Sequence, residues 1–439
     1  MIERRAFLGA AGLAAAATSA AAQVVAPAPQ AGAYPAPAPF SPKDWGRVRQ
    51  MFDLATDRVD MSAMLISSHP RPVREAIERH RRELDRTPIE YLERNNRPLQ
   101  NAARERVGRY LGAPAANIAL TDSTTMGAGL VYNGVQLGYG QEALTTDRDY
   151  YVTHEALRLS ARRNGASVRR VPLYADSRKA SADALTQGVV SQIRPNTRLL
   201  ALTWVHSSTG LKMPIGRITA EVARINQNRA PADRVIVSVD GVHGFGCEDA
   251  GLPELGCDIF FAGAHKWLFG PRGTGVVAAS AAGLAALRPT IPTFLDSMAY
   301  SNWISGAEPG ANTGARFTPG GFKAFEHLWA LSDAFVLHDM VGRRQVAQRT
   351  GELTEQLKAG LAAMPHVTLW TPRSRELSAG IVSFDVAGLS ADQTVDKLRE
   401  WKIMASAAPY ARPHVRLTPS IRNSPDEVDF ALKAVRALA

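Results

Sequence analysis

The chain has 439 residues, 45% of them hydrophobic and 21% charged, enough to bury the core of one large domain with a smaller partner. The formal net charge of +10 suits an acidic substrate, an anionic surface or nucleic acid, yet the arginines are scattered ("RHRREL", "ARRNG", "VRRV", "GRRQ"). No basic block or stripe interleaved with aromatics forms, which argues for a solvated surface and against a nucleic-acid binder.

In residues 1–22, Arg4-Arg5 precede Phe7-Leu8, a weakly apolar alanine stretch and an A-x-A-like end at Ala20 to Ala22. This resembles a twin-arginine signal and is too short and too weakly hydrophobic for a membrane span. It implies the Tat export machinery as a partner, a periplasmic location and no stable membrane insertion. Residues 23–43, rich in alanine and proline, read as an extended linker. The globular part starts near Trp45, with 44–74 expected to pack against the smaller domain.

"PVREAIERHRREL" and "LQNAARERVGRYLG" carry helix formers at helical spacing, the second stopping at Gly112. "NIALTDS" reads as a strand that leads into the helical "MGAGLVYNGVQL". The apolar runs "EALTT", "SVRRVPL", "RLLALTW", "RVIVSVD" and "CDIFFAG" then alternate with helical stretches, which argues for a mainly parallel sheet covered on both faces. "GTGVVAAS" follows too quickly for a helical crossover and is expected to run antiparallel. These elements make a large domain over 75–320. After Gly321, two long helical stretches, "HVTLW", "GIVSFDV", a helix near 391–401, "HVRLTP" and a last helix predict a smaller α+β domain over 321–439.

Ligands of open parallel sheets collect at the carboxyl ends of the strands. There the sequence places Thr203, His206 and Ser207, then Asp240 and His243, then His265 and Lys266, while Ser123, Thr124 and Thr125 open a helix. A hydroxyl-rich helix N-terminus suits a phosphate. A buried aspartate needs a partner such as a protonated pyridine nitrogen. A desolvated lysine can form a Schiff base with an aldehyde. Pyridoxal 5'-phosphate (PLP) is the cofactor that asks for all three. Cys247 and Cys257 match no C-x-x-C redox or zinc spacing, and no second Cys/His pair completes a metal site. They read either as a disulfide or as two buried thiols.

"VDGVHGFG" followed by "GAHKWLFGPRGTGV" resembles the class V aminotransferase branch of fold-type I PLP enzymes, which includes isopenicillin N epimerase-like proteins, cysteine desulfurases and kynureninase. The resemblance implies a mainly parallel seven-stranded sheet in the large domain, a smaller α+β C-terminal domain, and a homodimer. It also implies roles. Lys266 would be the Schiff-base lysine, His265 a phosphate contact and Asp240 the pyridinium partner. His243 would approach the phenolic oxygen, Thr124 and Thr125 form the phosphate loop, Tyr151 stack on the ring, Thr203 contact the cofactor, and Arg416 grip a substrate carboxylate. Three departures stand out. Gly263 replaces a frequent serine, and Gly320 and Gly321 stand where many relatives reach the neighbouring subunit's phosphate with a threonine, leaving Thr318 open for that role. "IMASAAPYARPHVR" also lacks the mobile cysteine of desulfurases and their arginine, leaving Arg412 or Arg416 to bind a carboxylate.

The functional expectation is transaminase-type chemistry on the α-amino group of an amino acid or amino-acyl group. Resemblance to Tat-exported members that modify a glutamyl group of the siderophore pyoverdine points to a small-molecule or peptide-linked substrate. Epimerisation and C–S lysis are the enzymatic alternatives; a non-catalytic binding protein on the same fold is the alternative of another class.

Overall fold

The computed structural model describes residues 40, 41, 44–294, 296–308 and 310–439, so the signal expectation and nearly all of the linker lie outside the described residues. A short strand β1 (Val59–Asp60) precedes the main sheet, which is built from β2 (Ile118–Thr121), β3 (Glu142–Thr146), β4 (Ser167–Val171), β5 (Thr197–Thr203), β6 (Ile236–Asp240), β7 (Ile259–Gly263) and β8 (Gly275–Ala279). Its order is β2-β8-β7-β6-β5-β3-β4. From β7 to β4 all neighbours are parallel, while β8 runs antiparallel to β7 and β2, as the short connection 264–274 requires.

The inner strands read as continuous apolar runs because both faces of the sheet are covered. Leu200 and Leu202 of β5 enter one core with Val237, Val239 and Phe260. Leu199 and Ala201 enter the opposite core with Ile236 and Phe261, the two-residue period of a strand. Edge strand β4 instead carries Arg169 and Arg170, charges that discourage further strand pairing.

A second, antiparallel sheet has the order β12-β13-β10-β9, from β9 (Val367–Leu369), β10 (Val382–Val386), β12 (Ser406–Ala407) and β13 (Val415–Leu417). Its core contains Leu353, Leu357, Phe384, Leu398 and Val428, supplied in part by helices Arg343–Ala362, Ala391–Glu400 and Pro425–Arg436. The helix Leu331–Val341, expected in the smaller domain, instead sends Leu331, Ala334 and Phe335 into the large-domain core. Helical periodicity shows that a face is apolar, not which core receives it.

The N-terminal segment bridges the two cores. β1 pairs in parallel with β11 (Ile403–Met404), Arg49 pairs with Glu427, and Met61 is buried in the smaller core. A few residues on, Ala63, Met64 and Val73 belong to the large one. Among the described residues no helix is long and apolar enough to cross a membrane.

Candidate active site

Parallel pairing sets Thr203, at the end of β5, beside Asp240, at the end of β6. Both line a cavity of about 200 Å³ together with Lys266. Asp240 is buried, and its Oδ1 accepts the Val242 N–H at 3.1 Å. Burial pushes its pKa up to about 6, against the lowering effects of that hydrogen bond and of the Lys266 charge. Burial also pulls Lys266 down to about 8, with Asp240 opposing and Arg416 adding to the fall. A lysine with a substantial neutral fraction near pH 8 is a nucleophile.

His243 and His265 also line the cavity. Burial is the largest cause of depression at both: His243 lies well below the usual imidazole value and His265 falls to about 4, so both are neutral at pH 7. His243 Nδ1 accepts the Trp267 Nε1–H at 3.4 Å, which orients its ring.

The helix Thr124–Gly134 starts at the cavity and is capped by Ser123, whose Oγ accepts the Met126 N–H at 3.1 Å. The remaining N–H groups of the first turn have no intrahelical acceptor, and the positive end of the helix dipole adds to them. Thr124 Oγ1 accepts the Gly263 N–H at 2.9 Å and ties this turn to the end of β7. A Cβ on Gly263 would lie 2.9 Å from Thr124 Oγ1 and 2.9 Å from His265 Cε1. The serine common in the family therefore does not fit here without a shift. Gly263→Ser is expected to weaken PLP binding about tenfold, the cost of modest overpacking, as read from the Kd of the apoprotein; tighter binding would refute the cradle.

Tyr151 is not at the site. It is 67% exposed on the first helical residue, while Tyr150, the extended residue before it, lines the cavity and meets the Tyr410 ring at 5.9 Å. Two consecutive tyrosines at a helix start point in different directions, and the helix boundary decides which is used. Tyr410 Oη is 2.7 Å from Ser207 Oγ, and Ser207 also lines the cavity. His206 does not; its Nδ1 is 3.2 Å from Tyr174 Oη.

Arg416 on β13 is buried and lines the cavity. Its Nε donates to Ser406 Oγ at 3.2 Å, Nη1 to the Ser207 carbonyl at 3.0 Å and Nη2 to the Ala407 carbonyl at 2.9 Å. These neutral acceptors fix the guanidinium and leave donors over for an anion. Arg412 is turned away, 4.3 Å over the Trp370 ring and 4.0 Å from Asp385. Thr318 is spent inside the subunit: its hydroxyl donates to the Gly314 carbonyl at 2.9 Å and accepts from Leu120 N and Arg104 Nη2 at 3.1 and 3.2 Å. Cys247 and Cys257 are separate buried thiols.

These residues fit PLP. The phosphate would meet the Thr124–Thr125 turn in a cradle that a Cβ at 263 would fill. Thr203, whose buried Oγ1 has no hydrogen-bond partner among the described residues, is one of the residues that line the cavity. Lys266 and Asp240 supply the amine and the carboxylate. Met64, Leu65, Val152 and Pro409 complete part of the wall and carry no motif that marks them in the sequence.

Fold and site define an enzyme of PLP fold type I. The chain belongs to the Aminotransferase class-V family, whose sequence profile matches residues 82–416, and that family is PLP-dependent. It is 28% identical over 405 residues to the isopenicillin N epimerase of Streptomyces clavuligerus, covering 90% of this chain and 98% of that protein. It is 26% identical to a cysteine desulfurase of Klebsiella pneumoniae over 65% of this chain and 66% of that one. Among solved structures, a C-DES mutant with glycine covalently linked to its PLP superposes with a TM-score of 0.79 at 24% identity, over 88% of this chain and 98% of the other, a likeness of fold.

Proposed function

We propose that the protein is an exported PLP enzyme that acts on the α-amino group of an amino acid or amino-acyl group, with amine transfer as its reaction. The observation that carries this reading is the meeting of Lys266, Asp240 and a cavity-facing, carboxylate-free Arg416 in one site. Lys266 would hold the cofactor covalently, the helix start at Thr124 its phosphate, and Asp240 a proton on its ring nitrogen. When bound, PLP supplies an electron sink for charge left at Cα. Arg416 would bind the α-carboxylate and so fix the orientation of Cα, and Lys266, once free, would carry the Cα proton. Tyr150 would cover one wall of the site and exclude water.

Epimerisation is the second reading, favoured by the near full-length match to an epimerase. A panel of L-amino acids in deuterated buffer separates the two. Deuterium at Cα with appearance of the 2-oxo acid is the expected result. Deuterium with retained amine and lost optical purity selects epimerisation, and no exchange on any substrate overturns both in favour of a binding protein.

The Arg4-Arg5 pair supports export of the folded holoprotein, and the exposed Phe294, Met298, Trp303, Ile304 and Phe322, which a second subunit would cover, support a homodimer. Periplasmic fractionation and the mass of the native particle check these two points; a cytoplasmic or monomeric product would remove them.

A further inference from the structure

Of the ionisable side chains that line the cavity, Arg416 alone comes from the smaller domain. Its two terminal nitrogens go to carbonyls of different domains: Nη2 to Ala407 on the neighbouring strand β12, and Nη1 to Ser207 in the turn after β5. Among the described residues, Ser207 is the one hydrogen-bond partner that Arg416 has in the large domain. Whatever holds the Ser207 peptide therefore holds the guanidinium.

Ser207 is used twice. Its carbonyl takes the guanidinium, and its hydroxyl oxygen lies 2.7 Å from Tyr410 Oη, a hydrogen bond back to the smaller domain. The Tyr410 ring also meets the Tyr150 ring edge-on, 5.9 Å between centroids and at 63°. Tyr150 and Ser207 line the cavity and Tyr410 does not, so Tyr410 touches two residues of the wall without being part of it. The turn that carries Tyr410 is anchored in its own domain. Ala408 N donates to the His414 carbonyl at 2.8 Å, Tyr410 N donates to the Ala408 carbonyl at 2.9 Å, and His414 Nδ1 is 2.8 Å from Asp385 Oδ1. Pro409 and Pro413 restrict its backbone further. These bonds close a circuit: Arg416 to Ser207, Ser207 to Tyr410, and Tyr410 through Ala408 and Ala407 back to Arg416. Burial holds the Tyr410 phenol above its usual value, against the lowering by the Ser207 hydrogen bond and the Arg416 charge, so it is neutral at pH 7. It orders the cation without cancelling its charge.

We propose that Tyr410 is a positioning residue: through the Ser207 hydroxyl it fixes the carbonyl that holds Arg416, and so sets the affinity for the substrate α-carboxylate. This rests on the Arg416 role proposed above. A Ser207 peptide free to turn would leave Nη1 without its acceptor, and the guanidinium would have to be ordered anew each time a carboxylate binds. The α-carboxylate carries the same charge in the bound substrate as in the transition state, so the loss falls on binding and not on the chemical step.

The test is a double-mutant cycle on the PLP-loaded protein, with Cα deuterium incorporation as the rate and the L-amino acid that exchanges fastest in the panel above as the probe. Tyr410→Phe keeps the ring against Tyr150 and removes only the hydroxyl. It is expected to raise KM about fivefold, the worth of one neutral hydrogen bond, with kcat within about twofold of wild type and the Kd for PLP unchanged. Ser207→Ala should raise KM by the same factor. The double variant should again show about fivefold, where independent residues would multiply to about twenty-fivefold. In the substrate-free holoprotein, Tyr410→Phe should also speed amide hydrogen exchange across 408–414 about fivefold, because the turn loses its tie to the large domain. Unchanged KM or unchanged exchange in Tyr410→Phe, or multiplied effects in the double variant, overturns the proposal. Arg416→Lys is the separate control and should raise KM at least about tenfold, since an ammonium cannot reproduce the guanidinium fork. An unchanged KM there is a different result, the failure of the carboxylate reading itself.

Discussion

Lys266→Ala is expected to abolish covalent capture of PLP and to cut turnover by at least about 10³-fold, since it removes both the cofactor anchor and the amine that moves the Cα proton. The cradle at Thr124 and Gly263 is untouched by the change, so PLP should still bind and leave on dialysis, whereas wild type should retain it until reduced with borohydride and then carry it permanently. Retention of a lysine-bound absorbance band by the alanine variant would remove Lys266 from its role. The wild-type apoprotein gives an independent check. Only the neutral amine has a lone pair to attack an aldehyde, and burial has brought Lys266 from 10.5 to about 8. The rate of capture should therefore climb with pH and level off above about 8; a rate still climbing through pH 10 would mean a solvated lysine.

What the sequence made legible follows from the geometry of a buried strand. Asp240 ends β6, and His265 and Lys266 closely follow β7, two strands in which every residue is buried and which pair in parallel, so these groups come out at the same sheet edge. Parallel pairing of β5 and β6 then puts Thr203 beside Asp240 with no further information needed. The residues that were not legible depend on tertiary choices. Tyr150 and Tyr151 differ only in which side of a helix boundary they occupy. Met64 and Leu65 sit in "MSAMLISSHP", which has no period, and they reach the site through hydrogen bonds to residues far along the chain at His265 and Thr418. Arg416 was separated from Arg412 only by seeing which one β13 turns into the cavity and which one the Trp370 ring and Asp385 hold outside it. Gly263 was visible as a departure from the family, but its reason was not: the space a serine would need is filled by Thr124 and His265.

Asp240→Asn separates holding the cofactor from using it. Asparagine has the same shape, and its side-chain oxygen can still accept the Val242 N–H, so the turn after β6 should survive and Lys266 should still capture PLP. What is lost is the negative charge beside the ring nitrogen. Without it the nitrogen is not kept protonated, charge at Cα is poorly stabilised, and kcat/KM should fall on the order of 10²–10³-fold, the usual effect of deleting one preorganised electrostatic partner. The pH dependence distinguishes this from a packing defect. In the cofactor-free protein burial has raised Asp240 from 3.8 to about 6, so its carboxylate is ionised above that value and neutral below it. PLP affinity of the wild-type apoprotein should accordingly weaken as pH falls through about 6, and the asparagine variant should lack that limb, while its capture profile moves to lower pH because the charge that held Lys266 up is gone. A variant that bound and turned over like wild type would show that Asp240 serves only to hold the turn at Val242.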